Sequence, residues 1–371
     1  MLSRPTDDPA QGRPRVVVIS GPGSVRLEPT EPLPAGPTDV RIRTLYSGIS
    51  AGTELTTYQG TNPHLERHWD PEQRLFTRGA ASTPYPVVGF GYEEVGTVVE
   101  VGEATSGVQV GDVVWGIWGH RSDGVLPAPA AAAQTLPSDC SPIVGVFARP
   151  GAVALNAVVE ADIHVGETVA IFGQGVIGLL ATALATANGA TVVAADARPE
   201  RLAMARRFGA RDVVDVTQDS TAEITRKLTG GHGADVCIEL SGSYSGLREA
   251  IRTCAYSSRV VAAGFYQGAA GALHLGEEFH HNRVEVVASQ ISGPPPRYAH
   301  RWTRDRLHRA FMRLVVEGRL DLSALVTDVV SASDVARAYE IISADAPGTL
   351  QVVLDFADAR LPPLMTGEEA R

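Results

Sequence analysis

The sequence predicts an α/β protein in which an all-β N-terminal domain precedes a doubly wound parallel sheet of six strands. In the first 150 residues, short β-rich runs are separated by Gly and Pro turns. Strand-like and helical runs then alternate over about 120 residues, a pattern typical of a parallel sheet with helices on both faces. With 371 residues, of which 44% are hydrophobic and 20% charged, the chain can build two hydrophobic cores and is not expected to be disordered.

We expect a β domain at 1–150, an α/β domain at 151–290 and a C-terminal segment at 291–371 that returns to the first domain. The predicted strands of the first domain are 15–20, 39–46, 95–101 and 113–117. Residues 59–86 between them form a polar stretch that is too long for a simple connection, which favours a functional or mobile loop.

The second domain is predicted from six strand-like runs at 168–172, 191–195, 213–216, 235–240, 259–265 and 284–289. Its predicted helices are 176–187, 199–208, 221–228 and 247–254. Pro199 begins one of these helices and Gly209 follows its end, as helix termini prefer. The returning segment is predicted to contain helices at 304–317 and 333–343 and a strand at 349–355.

Composition argues against several classes of protein. A net charge of −10 argues against nucleic acid as a partner. The three cysteines, Cys140, Cys237 and Cys254, suggest no disulfide framework and cannot form a four-thiolate zinc lobe, which fits the cytoplasm. Residues 168–195 carry no charge, but glycines interrupt them after a short β-branched run, so we expect no membrane span. We also expect no signal peptide.

The strongest motif lies between a predicted strand and a predicted helix and reads Gly173, Gln174, Gly175, Val176, Ile177 and Gly178. In a dinucleotide-binding site, Gly173 makes the tight turn, Gly175 lets the backbone approach a pyrophosphate and Gly178 lets the helix pack against the strand. The N-terminus of the helix adds amide donors for the phosphates. Asp196, eighteen residues after Gly178 and at the end of the next strand, suits the ribose hydroxyls.

The residues around Asp196 favour NAD over NADP. Its carboxylate accepts hydrogen bonds from a ribose and repels a 2′-phosphate. Arg198, two residues later, can attract such a phosphate, whereas Arg201 is expected to support the ribose. We give the carboxylate more weight because it acts in both ways, so NAD is the expected cofactor and NADP the less favoured one.

Further motifs extend over most of the chain: Tyr46-Ser47-Gly48-Ile49, Gly52-Thr53-Glu54, Gly91-Tyr92-Glu93, Gly111-Asp112-Val113-Val114, Ser241-Gly242 and Gly264-Phe265. With the glycine run, they make residues 16–356 resemble the medium-chain dehydrogenase/reductase superfamily, in which a GroES-like β domain precedes and follows a Rossmann domain. The resemblance implies further cofactor contacts from Ser241, Gly242, Gly264, Phe265 and Tyr266. It also implies a homodimer or homotetramer joined through the edge of the Rossmann sheet, where the run 284–289 would lie.

The chain departs from zinc-containing members at all three positions that the resemblance assigns to the catalytic metal. Ser50 or Ala51 stands for the first ligand, Tyr92 for the second and Arg149 for the third. None is a suitable zinc ligand, since zinc takes thiolate, imidazole or carboxylate. The sequence therefore resembles a zinc-independent, bacteriochlorophyllide-dehydrogenase-like branch, and we expect no metal.

Without a metal, side chains must transfer the proton and hold the substrate oxygen. The candidate catalytic residues are Ser50, Thr53, Tyr92, Glu93, His120 and Arg149. We expect Tyr92 to donate to the substrate oxygen, with its phenol acidified by Arg149. Thr53 matches the hydroxyl of the family's proton relay, and His120 is expected to exchange protons with solvent.

Each of these roles has a purely structural alternative. Tyr92 would then only fill the space left by the metal, and His120 would only support its loop. Glu93, like Glu54, is expected to orient Arg149 and the loop rather than to react.

The function predicted from these groups is NAD(H)-linked interconversion of a secondary alcohol and a ketone on a polar, hydroxylated small molecule: a sugar, a cyclitol or an intermediate of secondary metabolism. One alternative is an NADPH-dependent enone or quinone reductase, because a conjugated alkene needs only hydride delivery and polarisation. Another is a catalytically silent dinucleotide-binding protein.

Overall fold

The computed structural model describes residues 13–357 and divides into two compact units. The first comprises residues 13–146, 328–345 and 351–357, and the second comprises residues 147–327 and 346–350. Residues 291–327, predicted to return to the first domain, therefore group with the second unit, and the chain rejoins the first unit only at Asp328.

Seventeen strands and ten helices of the described residues are used below. The strands are β1 (Arg15–Gly21), β2 (Ser24–Pro29), β3 (Asp39–Ile49), β4 (His68–Asp70), β5 (Leu75–Thr77), β6 (Val87–Val88), β7 (Glu94–Val101), β8 (Val113–Gly116), β9 (Asp123–Pro127), β10 (Thr168–Phe172), β11 (Thr191–Asp196), β12 (Asp212–Asp215), β13 (Ala234–Glu239), β14 (Cys254–Ala262), β15 (Glu285–Ala288), β16 (Val326–Ser331) and β17 (Gln351–Asp355). The helices are α1 (Glu54–Tyr58), α2 (Ala128–Ala133), α3 (Ala148–Ala161), α4 (Val176–Ala187), α5 (Pro199–Arg207), α6 (Thr221–Leu228), α7 (Tyr244–Thr253), α8 (Glu278–His281), α9 (Arg304–Val316) and α10 (Val335–Ala344).

The first unit is built on a sheet with the order β16-β17-β3-β7-β8, to which β9 adds by pairing with β3. A smaller sheet, β2-β1-β6, and the hairpin β4-β5 complete it. Tyr339 and Ile342 of helix α10 pack in a hydrophobic core that also contains Ile19, Ile49 and Leu354. The C-terminal end of the long strand β3 pairs with the start of β7 on one side and with β17 on the other, which brings together the residues that flank these strand ends.

The second unit is a parallel sheet of six strands in the order β12-β11-β10-β13-β14-β15. This confirms the predicted doubly wound α/β class. The buried sides of the strands are nearly continuous runs of apolar residues, as in β10 and β13, because helices cover both faces. The strand order reverses between β10 and β13, and such a reversal opens a crevice at the carboxyl ends of the strands.

Helix α3 was not predicted. With the 3₁₀ turn before it, the stretch Pro142–Ala161 is long and apolar enough to cross a membrane on length and composition alone, the only such stretch among residues 13–357. However, 61% of its most apolar window is buried inside the structure. The uncharged stretch 168–195 divides into β10, α4 and β11.

Candidate active site

The glycine run of the second unit has the geometry that a dinucleotide needs. Gly173 follows β10 with a φ of +85°, and a Cβ there would lie 2.6 Å from the backbone nitrogen of Ser241. A Cβ at Gly178 would lie 1.8 Å from the carbonyl oxygen of Gly173. A Cβ at Gly175, which precedes α4, would meet nothing within 4 Å. Two glycines are thus required by packing, and the third leaves open space before the helix.

Asp196 ties the glycine run to the turn after β11. Its Oδ2 accepts a hydrogen bond from the backbone N–H of Gln174 at 2.6 Å, and its Oδ1 accepts one from the N–H of Arg198 at 2.9 Å. The side chain of Gln174 is buried and bonds to Ile171 and Thr182, so its contribution to a ligand is limited to its backbone. The carboxylate therefore stands beside the glycine turn at the end of β11.

A pocket of about 670 Å³ opens at the carboxyl ends of β10 to β13. Five of the predicted cofactor residues line it: Gly173, Asp196, Arg198, Arg201 and Ser241. The other nine are not on its wall: Gln174, Gly175, Val176, Ile177, Gly178, Gly242, Gly264, Phe265 and Tyr266. The wall also contains residues that no sequence motif predicted: residues 216–220 after β12, and Glu249 with its neighbours on α7. Residues 216–220 could have been predicted, because they directly follow a strand of the parallel sheet, where ligands of such sheets bind.

Glu239, the last residue of β13, was also missed. Its buried carboxylate accepts hydrogen bonds from the N–H groups of Ser241 at 2.8 Å and Gly242 at 3.2 Å, and from the hydroxyls of Ser241 and Tyr266. Burial raises the pKa of Glu239. Gly264 packs directly on Gly242, because a Cβ at Gly264 would lie only 2.4 Å from the backbone nitrogen of Gly242. Glu239 therefore joins the loop of Ser241 and Gly242 to the loop of Tyr266, both predicted to contact the cofactor. The Tyr266 hydroxyl donates its hydrogen bond to Glu239.

In the first unit, the structure brings Ser50, Thr53 and Tyr92 together. The Tyr92 hydroxyl donates to Ser50 Oγ at 2.5 Å, and the Thr53 side chain also hydrogen bonds to Tyr92. Burial and the charges of Glu93 and Glu54 raise the pKa of Tyr92. The expectation of an acidified phenol is therefore wrong within this unit, where Tyr92 is a protonated donor.

The donors at these positions do not fit zinc. Ser50 Oγ and the Tyr92 hydroxyl are hydrogen bonded to each other, and Tyr92 holds its proton, whereas zinc takes thiolate, imidazole or carboxylate ligands. Within residues 13–357, no group of three His, Cys, Asp or Glu side chains is arranged to hold a metal ion.

His120 lies at the centre of a buried polar network. Its Nε2 is 2.6 Å from Glu54 Oε2, and its Nδ1 is 2.6 Å from Ser47 Oγ, which donates to Glu94 Oε1 at 3.1 Å. Burial alone lowers the pKa of His120, but Glu54 and Glu94 outweigh burial and raise it above its ordinary value. Because His120 is 0% exposed, the expectation that it exchanges protons with solvent is wrong.

The two remaining predicted residues have different surroundings. Glu93 is buried, and its Oε2 accepts a hydrogen bond from Gln351 Nε2 at 3.1 Å, at the start of β17. Arg149 belongs to the second unit, on α3. Burial and, to a smaller extent, the charge of Arg149 lower the pKa of His308 on α9. The pairing of Arg149 with Tyr92 stays a prediction, and Glu54 uses both its oxygens within the first unit.

The His120 network predicts a pH-dependent stability. A histidine whose pKa is raised by folding contributes stability that is fully present below about pH 6.5 and is lost as the pH rises through the folded-state pKa. Between about pH 6.5 and the folded-state pKa of His120, we expect the free energy of unfolding to fall as the pH rises, by at most about 1.4 kcal/mol per pH unit for one proton. Urea unfolding from pH 6 to 9 should show a shallower decline in His120→Gln than in the wild type. Parallel curves would contradict the raised pKa.

Comparisons with known proteins agree with both units. Residues 36–167 match the family model "Alcohol dehydrogenase GroES-like domain", and residues 176–303 match "Zinc-binding dehydrogenase". D-guloside 3-dehydrogenase of Escherichia coli (strain K12) is 30% identical over 309 residues, which cover 81% of this chain and 88% of that enzyme. L-threonine 3-dehydrogenase of Chelativorans sp. (strain BNC1) is 28% identical over 356 residues, covering 88% of this chain and 94% of that enzyme.

Among solved structures, galactitol-1-phosphate dehydrogenase from Escherichia coli has the same fold, with a TM-score of 0.73 at 23% identity, covering 92% of this chain and 99% of that one. The two family models together cover most of the chain, including Ser50, Tyr92 and helix α4, and the enzymes of similar sequence cover more than four fifths of it. The protein is therefore a member of the medium-chain dehydrogenase/reductase superfamily.

Proposed function

We propose that this protein is a zinc-independent, NAD(H)-linked oxidoreductase that interconverts a secondary alcohol and a ketone on a polar, hydroxylated small molecule. Sugars, cyclitols and intermediates of secondary metabolism are the substrate classes. The observation that carries the proposal is the hydrogen-bonded pair of Tyr92 and Ser50, which stands where the resemblance places zinc ligands.

The relatives support the reaction class. Their names describe oxidation of hydroxylated compounds, a guloside and threonine, and the solved structure of similar fold is named for a polyol phosphate. A hydroxyl-rich substrate also suits the hydroxyl groups of Ser50, Thr53 and Tyr92, which donate and accept hydrogen bonds.

The chemistry of Tyr92 follows from its raised pKa. A phenol that holds its proton donates a hydrogen bond to a carbonyl oxygen and stabilises the negative charge that develops there during reduction. In reduction, the Tyr92 hydroxyl turns its proton from Ser50 to the carbonyl oxygen and transfers it there, Ser50 then gives its own proton to Tyr92, and solvent water reprotonates Ser50. Alcohol oxidation runs the same exchange in reverse, and the proton is released to solvent. The dinucleotide, when bound, supplies or accepts the hydride.

The second unit fits that dinucleotide. Gly173 and Gly178 hold the turn, Gly175 leaves space before α4 and Asp196 lies at the end of β11 on the pocket wall. We propose NAD rather than NADP because the carboxylate of Asp196 repels a 2′-phosphate. Ser241, Gly242, Gly264, Phe265 and Tyr266 remain proposed contacts.

The cofactor preference is testable by removing one charge. Asp196→Asn keeps the shape and one acceptor oxygen, so we expect the ratio of kcat/KM for NAD to that for NADP to fall about tenfold, a change of about 1.4 kcal/mol. Asp212→Asn removes the same charge at the opposite end of the neighbouring strand β12 and should leave the ratio unchanged. An unaltered ratio in Asp196→Asn would show that Asp196 does not select the cofactor.

The reaction itself is tested by nicotinamide absorbance after exhaustive chelation, with NAD⁺ and a panel of sugars, polyols and cyclitols. Reduction of NAD⁺ at a rate that added zinc does not increase supports metal-independent oxidation of an alcohol. Activity that chelation abolishes and zinc restores would overturn zinc independence. Silence on the panel, with oxidation of NADPH by an enone or quinone, would replace the proposal by the reductase.

We also propose a cytoplasmic homodimer or homotetramer joined through β15. This strand forms the edge of the six-stranded sheet, and Val286 on it is 39% exposed. An open edge offers unpaired backbone groups to a second copy.

A further inference from the structure

Five fully buried polar side chains surround the end of β3, and the relay of Tyr92 and Ser50 uses none of them directly. They are Ser47, Glu54, Glu94, His120 and Tyr339, each 0% exposed. Burying carboxylates and an imidazole costs several kcal/mol unless they are paired and hydrogen bonded. Apolar side chains of similar volume would commonly be as stable, so stability alone does not explain this network.

Glu54 is the member that touches the proposed catalytic pair. Its Oε1 accepts a hydrogen bond from the backbone N–H of Ser50 at 2.9 Å. Its Oε2 faces His120 Nε2 at 2.6 Å and accepts a hydrogen bond from the Tyr339 hydroxyl at 3.0 Å. The carboxylate thus joins the turn after β3, the loop after β8 and helix α10, which lie far apart in sequence.

The hydrogen-bond directions are all satisfied when His120 is the cation. The Nε2 proton then goes to Glu54, and the Nδ1 proton goes to Ser47 Oγ. Ser47 is left to donate to Glu94, whose other oxygen accepts from the N–H of Trp118 at 2.9 Å. A neutral ring that accepts at Nδ1 would take the Ser47 proton away from Glu94.

We propose that Glu54 is a positioning residue, paired with a cationic His120 and held by Tyr339, that fixes Ser50 in place to accept the Tyr92 hydroxyl. The proposal rests on the proposed function, because Ser50 and Tyr92 are its relay. A carboxylate serves this purpose better than an amide, because it has two acceptor oxygens and no donor, whereas the NH₂ of Gln would face a donor on one side or the other.

The groups around His120 are few and come from several elements. Glu54 lies on α1, Ser47 on β3, Glu94 at the start of β7 and Tyr339 on α10. A Cβ at Gly91 would lie 2.8 Å from the His120 ring, so the ring also packs closely against the backbone that leads to Tyr92. The network therefore contacts the end of β3, just before Ser50, and the segment around Tyr92 that leads into β7.

The experiment compares Glu54→Gln with Asp123→Asn in the full chain. Asp123 is also 0% exposed in the same unit, but it accepts hydrogen bonds from Arg121 and from the backbone of Leu33. Both variants lose a buried carboxylate, so both are expected to be less stable. We expect kcat to fall about 10- to 100-fold in Glu54→Gln, the range for a disturbed acid–base relay. In Asp123→Asn we expect it to stay within about twofold, since that side chain is outside the relay.

Two further readouts separate positioning from support of the fold. If Glu54 acts through Ser50, the double variant Glu54→Gln/Ser50→Ala should have the same kcat as Ser50→Ala alone, because the effects of coupled residues do not add. Titration of the ring-nitrogen NMR signals of His120 should give a higher pKa in the wild type than in Glu54→Gln. Additive losses of kcat, equal kcat in the two single variants, or an equal pKa of His120 in the wild type and Glu54→Gln would each overturn the proposal.

Failure of the proposed function has a different signature. In that case the wild type reduces no NAD⁺ with any alcohol in the chelated assay. The positioning role of Glu54 is then also overturned, because it rests on the proposed function. An active wild type with an equally active Glu54→Gln overturns the positioning role alone. Tyr339→Phe removes one hydrogen bond to Glu54 but leaves its charge partner, so a smaller loss of kcat than in Glu54→Gln is expected.

Discussion

Tyr92→Phe is expected to lower kcat for the proposed alcohol oxidation by about 10²- to 10³-fold, the cost of removing one donor at a developing oxyanion. The phenol is protonated and bonded to Ser50 Oγ at 2.5 Å, so the substitution removes both the donor to the substrate oxygen and the link to the next hydroxyl. KM for the nucleotide should not change, because the proposed cofactor residues lie in the other unit.

The measurement is steady-state kinetics on the best substrate of the chelated panel, with Ser50→Ala and Tyr256→Phe alongside. Ser50→Ala should lose less activity than Tyr92→Phe, since the phenol can still donate to substrate. Tyr256, which is 63% exposed on β14 of the other unit, supplies the matched loss of one tyrosine hydroxyl and should leave kcat unchanged. Full activity in Tyr92→Phe would mean that Tyr92 only fills the space of the metal.

The second large effect is expected in the glycine run, where two neighbouring glycines should respond differently. An alanine Cβ at Gly178 would lie 1.8 Å from the carbonyl oxygen of Gly173, so the turn must move. We expect Gly178→Ala to lower the free energy of unfolding by about 1–3 kcal/mol and to abolish nucleotide binding. Gly175→Ala meets no protein atom within 4 Å and has a φ of −72°, so its stability should stay within about 0.5 kcal/mol of the wild type.

Nucleotide binding should nevertheless weaken at least about tenfold in Gly175→Ala, because the methyl group enters the space through which the backbone approaches a pyrophosphate. Urea unfolding and calorimetric titration with NAD⁺ measure the two effects separately. Gly276→Ala, where a Cβ also meets nothing within 4 Å, is the control and should change neither. Undiminished binding by Gly175→Ala would place the nucleotide elsewhere.

Local sequence rules were sufficient for the parallel sheet of the second unit, from β10 to β15, and for its helices α4 to α7. A glycine run between a β-branched run and a helical run has one favourable local geometry, and the positive φ of Gly173 and the close packing of Gly178 follow from it. Alternating strands and helices imply parallel pairing, and the observed sheet confirms it. The observed ends of the helices and strands differ more from the predicted ends. Helix α7 begins at Tyr244 rather than at the predicted residue 247, and β14 spans Cys254–Ala262 rather than the predicted 259–265.

Helix α3 shows why the rest was missed. It contains Pro150 and Gly151 near its start, residues that usually mark turns, so its sequence was not recognised as helical. Its burial depends on partners distant in sequence: a Cβ at Gly151 would lie 2.1 Å from the ring of Phe311 on α9. The same packing keeps residues 304–316 with the second unit, whereas the sequence predicted that they return to the first.

The sequence by itself determined the fold class and the glycine run with Asp196, because each depends on residue type or on short spacing. The replacement of zinc ligands by Ser50 or Ala51, Tyr92 and Arg149 stays a prediction from the family resemblance. Only the tertiary structure decided the role of His120. Its partner Glu54 is 66 residues away, and Tyr339, which also binds Glu54, is 285 residues from it. Strand register and the docking of α10 bring these groups together, and their mutual burial turns a histidine expected to meet solvent into a fully enclosed one.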